Sequence, residues 1–366
     1  MIRRFGIWAI CALAACGRVG FESADADDGG SGGDPDAAAG DPTALACDVP
    51  IELMPLGQPR YWFGAGPYGV VAATKESEDA ETMVITRFAQ QDGTLVRAER
   101  IEVDVPSEQV QPFVTSVADG WLVGVTDNVS ASTLFPLGGG LVTRGLVHAP
   151  YAVWNLATRG DHAMAAVAVD VQLKAAELDA LGQDMITPVD IEMPDWEEPF
   201  VGENQNAVIV IHSHAGGTAS CNVTQEYDDD HTTVVRDYGT VGPTACTQLT
   251  IARNHRVGQS MAIEGRAGGT LLSFVVPFDN TLATESLFAS GELPLIAESG
   301  NHYVVTWEDG TGGLAAVGMS TSGTMLGAQR GVTANFDDGR LDNMLPTVPV
   351  LIWRDDTTLF AERLCL

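Results

Sequence analysis

The chain has 366 residues, of which 45% are hydrophobic and 19% charged, and its formal net charge at pH 7 is −30. This length and composition suit a globular protein with one large domain or two smaller ones. The first 43 residues hold three arginines and seven acids, so the 16 basic and 42 acidic residues that follow leave a net charge of −26. Such a surface repels nucleic acid and anionic membranes, because binding to either depends on clustered Lys and Arg.

The N-terminal residues 1–16, MIRRFGIWAICALAAC, have the layout of a secretory signal. Two arginines precede an apolar core of about eleven residues, which is too short to span a bilayer. The ending Leu13-Ala14-Ala15-Cys16 resembles the lipobox of bacterial lipoproteins. The resemblance implies that residues 1–15 are a signal peptide and that Cys16 becomes the lipid-bearing first residue. Gly17, where inner-membrane lipoproteins often have Asp, implies an address at the outer membrane of a Gram-negative cell.

The segment from 22 to 43 consists almost entirely of Asp, Gly, Ala, Ser and Pro. It has no apolar side chains of useful size, so nothing offsets the entropy cost of ordering it. We therefore predict that residues 16–43 are the lipidated cysteine and a disordered tether, with an r.m.s. reach of roughly 25–30 Å. The folded domain is expected over residues 44–366.

A unit of about 46 residues recurs from residue 60 onward, and its clearest copy is 301–329, NHYVVTWEDGTGGLAAVGMSTSGTMLGAQ. Each copy has an apolar strand, a turn rich in Gly, Asp or Ser, and a partner strand. The apolar strands are expected at 68–74, 120–126, 162–169, 206–213, 259–265, 302–309 and 349–355. We expect each hairpin to be the inner pair of a propeller blade.

A strand-based period of this length is typical of a β-propeller. The apolar strands are continuous runs, such as AVIVI and VVTW, which indicate burial on both faces. A tandem of β-sandwiches, the alternative, buries one face of each sheet and predicts more alternation. The sequence therefore predicts an all-β fold, a seven-bladed β-propeller whose ring is closed by the N-terminal strand, within 46–56, joining the last blade.

Four cysteines remain for disulfides once Cys11 leaves with the signal and Cys16 carries the lipid. Closure of the ring places Cys47 beside Cys365, so we predict that pair. Cys221 and Cys246 then form the second disulfide.

Acidic residues follow corresponding apolar strands and are expected near one face of the ring: Asp127, Asp170, Glu264, Glu308 and Asp355. As an acidic rim they would bind cations or a basic partner, and as ordinary turn residues they need no such role. The tryptophans 121, 154, 307 and 353 lie in or beside apolar runs and are expected to pack between sheets. No motif for a catalytic nucleophile stands out.

His212 and His214 are the one pair with metal-ligand spacing, because residues i and i+2 of a strand point to one face. The acids at 228–230 and His231 would add ligands for Zn or Ca. The alternative is that both histidines cap a strand end, and no cofactor is otherwise indicated.

Two functions of different classes fit these features. The first is a monomeric, lipid-anchored propeller that binds an envelope protein, peptide or glycan without catalysis. The second is an envelope polysaccharide hydrolase or lyase with acidic residues at the channel mouth, since one scaffold hosts both classes. Lack of a catalytic signature favours the first.

Overall fold

The computed structural model describes residues 40–56, 60–127, 129–159, 162–169, 172–185, 187–190, 196–203, 208–214, 223–227, 234–240, 246–254, 256–257, 259–266, 269–276 and 286–366. Apart from a single 3-10 turn, Pro42–Ala44, the regular structure of these residues is β-strand. The strands form seven four-stranded antiparallel sheets within the described ranges.

Six sheets are continuous in sequence and are numbered here along the chain, with their strands in spatial order. Sheet 1 contains β2 (Arg60–Gly66), β3 (Gly69–Lys75), β4 (Thr82–Gln91) and β5 (Thr94–Asp104), and sheet 2 contains β6 (Gln111–Val117), β7 (Gly120–Thr126), β8 (Ser132–Gly138) and β9 (Val147–Ala149). Sheet 3 contains β10 (Ala152–Arg159), β11 (His162–Val169), β12 (Gln172–Leu178) and β13 (Val189–Asp190), and sheet 4 contains β14 (Trp196–Glu203), β15 (Val208–His214), β16 (Val223–Tyr227) and β17 (Val234–Thr240). Sheet 5 contains β18 (Cys246–Asn254), β19 (Gln259–Arg266), β20 (Thr270–Val276) and β21 (Ser286–Ser290), and sheet 6 contains β22 (Glu292–Ser299), β23 (His302–Glu308), β24 (Leu314–Met319) and β25 (Arg330–Thr333).

Sheet 7 joins the two ends of the described chain. It contains β26 (Asp338–Leu345), β27 (Val348–Asp355), β28 (Thr358–Arg363) and, as its fourth strand, β1 (Ile51–Pro55). β1 pairs antiparallel with β28, with Ile51 opposite Ala361 and Pro55 opposite Thr358. The expected pairing of the N-terminal strand with the last strand is therefore present.

The apolar hairpins of the repeat are the second and third strands of each sheet. In the copy at 301–329, β23 and β24 are flanked by β22 on one side and β25 on the other. The expectation that this hairpin is the inner pair was wrong, because a further strand precedes it. The second and third strands are the most buried: every residue of β3, β7, β8 and β24 is buried. Residues in these positions have neighbours on both sheet faces and on both edges, so a continuous apolar run suits them.

The first strands of successive sheets lie side by side and run in the same direction. At their beginnings, Gln111 Nε2 in β6 donates a hydrogen bond of 3.5 Å to the Tyr61 carbonyl in β2. At their ends, a Cβ added to Gly66 would lie 2.3 Å from Ser116 Cβ, so only glycine permits this close approach. Contacts link β2, β6, β10, β14, β18, β22 and β26 in this order, and β26 also contacts β2.

This arrangement gives the molecule two faces. One carries the turns from first to second strand and from third to fourth strand, together with Cys47 and Cys365; it is called the disulfide face below. The other carries the turns from second to third strand and the beginnings of the first strands, and is called the far face.

Apolar side chains pack between neighbouring sheets. Phe63 and Val70 of sheet 1 share one cluster with Val350, Ile352 and Leu359 of sheet 7. Trp121, Trp307 and Trp353 are buried, as the sequence predicts, while Trp154 is half-buried. The hydrophobic effect thus holds sheet against sheet rather than building one central core.

Candidate functional site

The predicted acidic residues lie at equivalent places on different sheets. Asp127 follows β7, while Glu308 and Asp355 are the last residues of β23 and β27, all on the far face. Glu264 lies in β19 without a described side chain, and Asp170 falls outside the described residues. Whether these acids act together as a ligand-binding rim stays a prediction.

The Asp127 carboxylate accepts hydrogen bonds from the residues of its own turn. Its Oδ1 accepts hydrogen bonds from the backbone N–H groups of Val129 at 2.8 Å, Ser130 at 2.7 Å and Ala131 at 2.9 Å, and its Oδ2 accepts from Ser130 Oγ. Burial opposes ionisation of this carboxyl, but the hydrogen bonds from Ala131, Ser130 and Val129 outweigh it and lower its pKa. The carboxylate therefore closes the hairpin between β7 and β8.

Two other turns on the far face use an aspartate in the same way. Asp309 Oδ1 accepts from Thr311 N at 2.9 Å and from Gly313 N at 3.3 Å, and Asp355 Oδ1 accepts from Thr358 N at 3.1 Å. In sheet 6 the turn is closed by Asp309, the residue that follows the predicted rim residue Glu308. An Asp that directly follows an apolar strand and precedes a Gly-, Ser- or Thr-rich turn is the signal that would have found this set.

Lys75 takes the corresponding place at the end of β3 in sheet 1. Its side chain is buried, and its Nζ donates to the carbonyl of Gln109 at 2.5 Å and to that of Glu78 at 3.1 Å. Burial lowers the pKa of this amine, while the charges of Asp79 and Glu108 act in the opposite direction. Lys75 therefore fastens sheet 1 to the segment that leads into sheet 2.

A polar group built on Arg340 lies where the first strands of sheets 7, 1 and 3 approach one another. Arg340 Nε donates to Asp342 Oδ1 at 2.8 Å, and one of its terminal nitrogens donates to the Leu156 carbonyl at 3.2 Å. The guanidinium carbon lies 5.8 Å from the centre of the Trp62 ring. Asp342 Oδ2 in turn accepts from Ala65 N at 3.0 Å. The Arg340 guanidinium thus connects sheets 1, 3 and 7 at the centre of the molecule.

A second polar group lies at the far face where sheets 1 and 7 meet. Tyr61 Oη donates to Asp338 Oδ2 at 3.1 Å, and the Arg354 guanidinium lies 4.9 Å above the Tyr61 ring. Burial, followed by the negative charge of Asp338, raises the pKa of Tyr61 to about 12. Tyr61 is therefore a hydrogen-bond donor at neutral pH and not a nucleophile or base.

The N-terminal segment is fastened to the end of sheet 7 at the disulfide face. Cys47 and Cys365 form the predicted disulfide, whose partners are 318 residues apart in sequence. Arg363 donates to the carbonyl of Leu45 at 3.1 Å and also to that of Thr43, and Cys365 N donates to Asp48 Oδ1 at 3.1 Å. These contacts fix the path of residues 43–48 across the last strands of the chain.

A buried ion pair lies beside this fastening. Glu362 in β28 is 1% exposed, and its Oε1 accepts from Arg330 in β25 at 2.6 Å; Arg330 also lies 3.1 Å from Asp48. Burial raises the pKa of Glu362, and the hydrogen bond and charge of Arg330 act against that rise. Arg330 therefore links sheet 6 to β28 of sheet 7 and to the segment that precedes β1.

The remaining predicted sites fall on parts of the chain about which less is described. His212 and His214 belong to β15, and Cys246 to β18, without described side chains, while Cys221, the acids at 228–230 and His231 are outside the described residues. Among the described residues, no group of three or more His, Cys, Asp or Glu is arranged to hold a metal ion. No helix in that part of the chain is both long and apolar enough to cross a membrane.

Comparison with known proteins identifies the fold. No family model matches the sequence, and neither does any curated protein. The β-propeller domain of Cps50 (Swd1) from Myceliophteria thermophila superposes with a TM-score of 0.52 at 10% sequence identity, covering 86% of this chain and 99% of that one. The fold is β-propeller-like. The propeller of Dos1 gives a TM-score of 0.49 at 9% identity, with 80% of this chain and 74% of that one covered. At such identities the propeller likeness describes the fold alone.

Proposed function

We propose that this protein is a lipid-anchored, non-enzymatic binding module of the bacterial cell envelope, built as a closed seven-bladed propeller. One observation carries the proposal: the segment that leads from the lipobox into the fold is fastened to the last strands by the Cys47–Cys365 disulfide and by Arg363. A propeller fastened there is an anchored, rigid body that presents its far face to a partner.

Two features support the closed ring. The first strands contact one another in chain order, and β26 of the last sheet contacts β2 of the first. Side chains of sheets 1 and 7 share one apolar cluster and the Arg340 and Tyr61 groups. Closure also removes the edge that β28 would otherwise present to other chains.

The chemistry of the polar groups supports binding over catalysis. Arg340 is engaged by Asp342 and a carbonyl, Tyr61 donates to Asp338, and Asp127, Asp309 and Asp355 close their own turns. Catalysis of hydrolysis at an acidic channel mouth needs two carboxyl groups free to face a substrate. These carboxylates are instead used to hold the scaffold.

The lipid anchor is tested by metabolic labelling of the full chain with a palmitate analogue in a Gram-negative host. We expect labelled protein in the outer-membrane fraction, loss of the label in Cys16→Ser, and retention in the matched control Cys11→Ser. Label that persists in Cys16→Ser contradicts the proposal.

Partner binding is tested by crosslinking the anchored protein in intact cells. We expect a defined partner whose capture falls with Glu308→Lys and Asp356→Lys on the far face, and is unchanged with Asp119→Lys on the disulfide face. Turnover of an envelope polysaccharide by the purified chain would support the hydrolase or lyase alternative and overturn the binding function.

A further inference from the structure

The exposed apolar side chains of this protein are distributed unequally between its two faces. Of the ten large apolar side chains that are exposed in the described residues, two lie on the far face, Val129 and Leu293. Seven others lie on the disulfide face, and Leu146 lies at the outer edge of sheet 2, level with the middle of β8. Scattered apolar residues are normal on a protein surface, but their segregation to one face marks an interaction surface.

Five of these seven lie in, or within two residues of, three turns with one shared geometry. The turns begin at Gly138, Asp179 and Ser320, and in each the starting residue donates its N–H to the carbonyl four positions later and accepts from the N–H three positions later. The residue three positions on has a positive φ in all three: 56° for Leu141, 72° for Gly182 and 79° for Gly323. The exposed apolar side chains in these turns are Val142 and Leu181, and Met185, Met325 and Leu326 follow the turns within two residues.

The N-terminal segment enters the fold on this same face. Ala46 N donates to the carbonyl of Gly93 in the turn between β4 and β5, and the Cys47–Cys365 disulfide follows directly. Val49, beside the disulfide, and Val257, in the turn between β18 and β19, are the remaining two exposed apolar residues of the face. The first residues that the structure describes, from residue 40 onward, therefore lie at the disulfide face and not at the far face.

We propose that the disulfide face rests on the lipid surface to which the chain is anchored, with these side chains inserted at the boundary between headgroups and acyl chains. This proposal rests on the proposed lipid anchor. The tether predicted from the sequence, with a reach of roughly 25–30 Å, would hold the domain at millimolar effective concentration near the bilayer, so a weak apolar contact would be sufficient to orient it. The net charge of −26 on residues 44–366 disfavours anionic lipid, so the contact is apolar and prefers zwitterionic headgroups.

The test uses a chain from residue 16 with Cys16→Ser, so that no acyl group contributes. Its co-flotation with vesicles of phosphatidylcholine and phosphatidylethanolamine is measured at millimolar lipid, and again as phosphatidylglycerol replaces part of the zwitterionic lipid. We expect measurable flotation that decreases as the anionic fraction rises. Leu181→Glu/Met185→Glu should lower the partition coefficient about tenfold, because two inserted apolar groups become charges.

The matched control is Val129→Glu/Leu293→Glu on the far face, which should float like the parent chain. Circular dichroism and urea midpoints of all variants verify the fold, and Leu181→Ser/Met185→Ser replaces the glutamate pair if its midpoint falls. Absence of flotation by the parent chain, or an equal loss in the control, overturns the proposal. Self-association that is abolished by the disulfide-face variant would identify a second copy as the occupant and also overturn it. Labelling of Cys16 is measured separately, so failure of the anchor is distinguishable from failure of the face.

Discussion

At the scale of single residues, the carboxylates of this protein serve mainly as structural hydrogen-bond acceptors. A carboxylate that accepts several backbone N–H groups is stabilised as the anion, and the pKa of Asp127 is lowered for that reason once its burial is outweighed. Three aspartates on the far face repeat this arrangement in different sheets. The abundance of acids in the sequence therefore reflects turn chemistry in part, and not only surface charge.

Asp127→Ala should reduce the free energy of unfolding by about 1–2 kcal/mol at pH 7, since three backbone donors lose a charged acceptor. Because the folded pKa lies below the unfolded value of 3.8, this contribution is present above that pH and is lost as pH falls through the folded pKa. In urea unfolding, the difference in stability between the variant and the parent chain should therefore be smaller at pH 3 than at pH 7. Asp104→Ala, an exposed acid at the end of β5, is the control and should change stability by less than about 0.5 kcal/mol.

The Arg330–Glu362 pair predicts an opposite dependence on pH. Arg330→Ala should cost about 2–3 kcal/mol at pH 8, because it leaves Glu362 charged and buried without its partner. In the parent chain the folded-state pKa of Glu362 is already raised above 4.5, and loss of Arg330 raises it further. The variant therefore keeps its stability at pH values below the unfolded-state pKa of Glu362, and loses stability as the pH rises through the folded-state pKa. The difference between variant and parent should thus be small at pH 4 and grow with pH. In Arg330→Ala/Glu362→Gln this growth should disappear; its persistence would assign the pH dependence to another group.

At the scale of elements, whether a strand can be predicted from the sequence depends on its position in the sheet. The second and third strands were predictable because they are covered on both faces, and β7, GWLVGVT, is buried throughout. The first strands carry polar groups that meet across the centre, as Arg340 and Asp342 do in β26, and their pattern is therefore mixed. The fourth strands lie at the outer edge, where only two of the eleven residues of β5, Leu95 and Val103, are buried. Apart from the N-terminal strand that completes sheet 7, the first and fourth strands therefore have no clear pattern in the sequence.

The site was less predictable than the fold for a related reason. Arg340 and Leu156 are 184 residues apart, and no local pattern indicates that one donates to the other. The choice between Glu308 and Asp309 depends on which carboxyl reaches the N–H groups of the turn, which spacing alone does not settle. The cysteine pairing was predictable, because Cys47 and Cys365 lie in segments that closure of the last sheet must bring together.

The shared turn of the disulfide face predicts a specific cost for losing glycine. Gly182→Ala and Gly323→Ala should each lower the free energy of unfolding by about 1 kcal/mol or more, because both residues have a positive φ that a Cβ disfavours. Gly327→Ala, just after the turn of sheet 6, has open space around the added Cβ and is the matched control. Thermal unfolding of the three variants checks this, and an equal effect in Gly327→Ala would mean that the backbone conformation is not the cause.

At the scale of the whole molecule, the pairing of β1 with β28 joins the N-terminal part of the described chain to its last strands. Sheet 7 is completed by a strand from the other end of the chain, so its fourth strand is lost whenever residues 43–55 detach. A disulfide across 318 residues restricts the unfolded chain more than a short-range one does, and in the folded chain it keeps β1 beside β28. The Cys47–Cys365 disulfide therefore affects both the unfolded and the folded state.

Cys47→Ser/Cys365→Ser should reduce the free energy of unfolding by about 2–5 kcal/mol, with a larger fall in stability than any single turn variant. Detachment of β1 exposes the edge of β28, so the variant should also form concentration-dependent oligomers near its unfolding midpoint, which light scattering detects. Arg363→Ala in the parent chain removes the hydrogen bonds to the Thr43 and Leu45 carbonyls but leaves the disulfide, and should produce a smaller loss without oligomers. If the cysteine double variant unfolds at the same urea concentration as the parent and stays monomeric, β1 is held by its strand pairing alone, and closure of the last sheet does not depend on the covalent link.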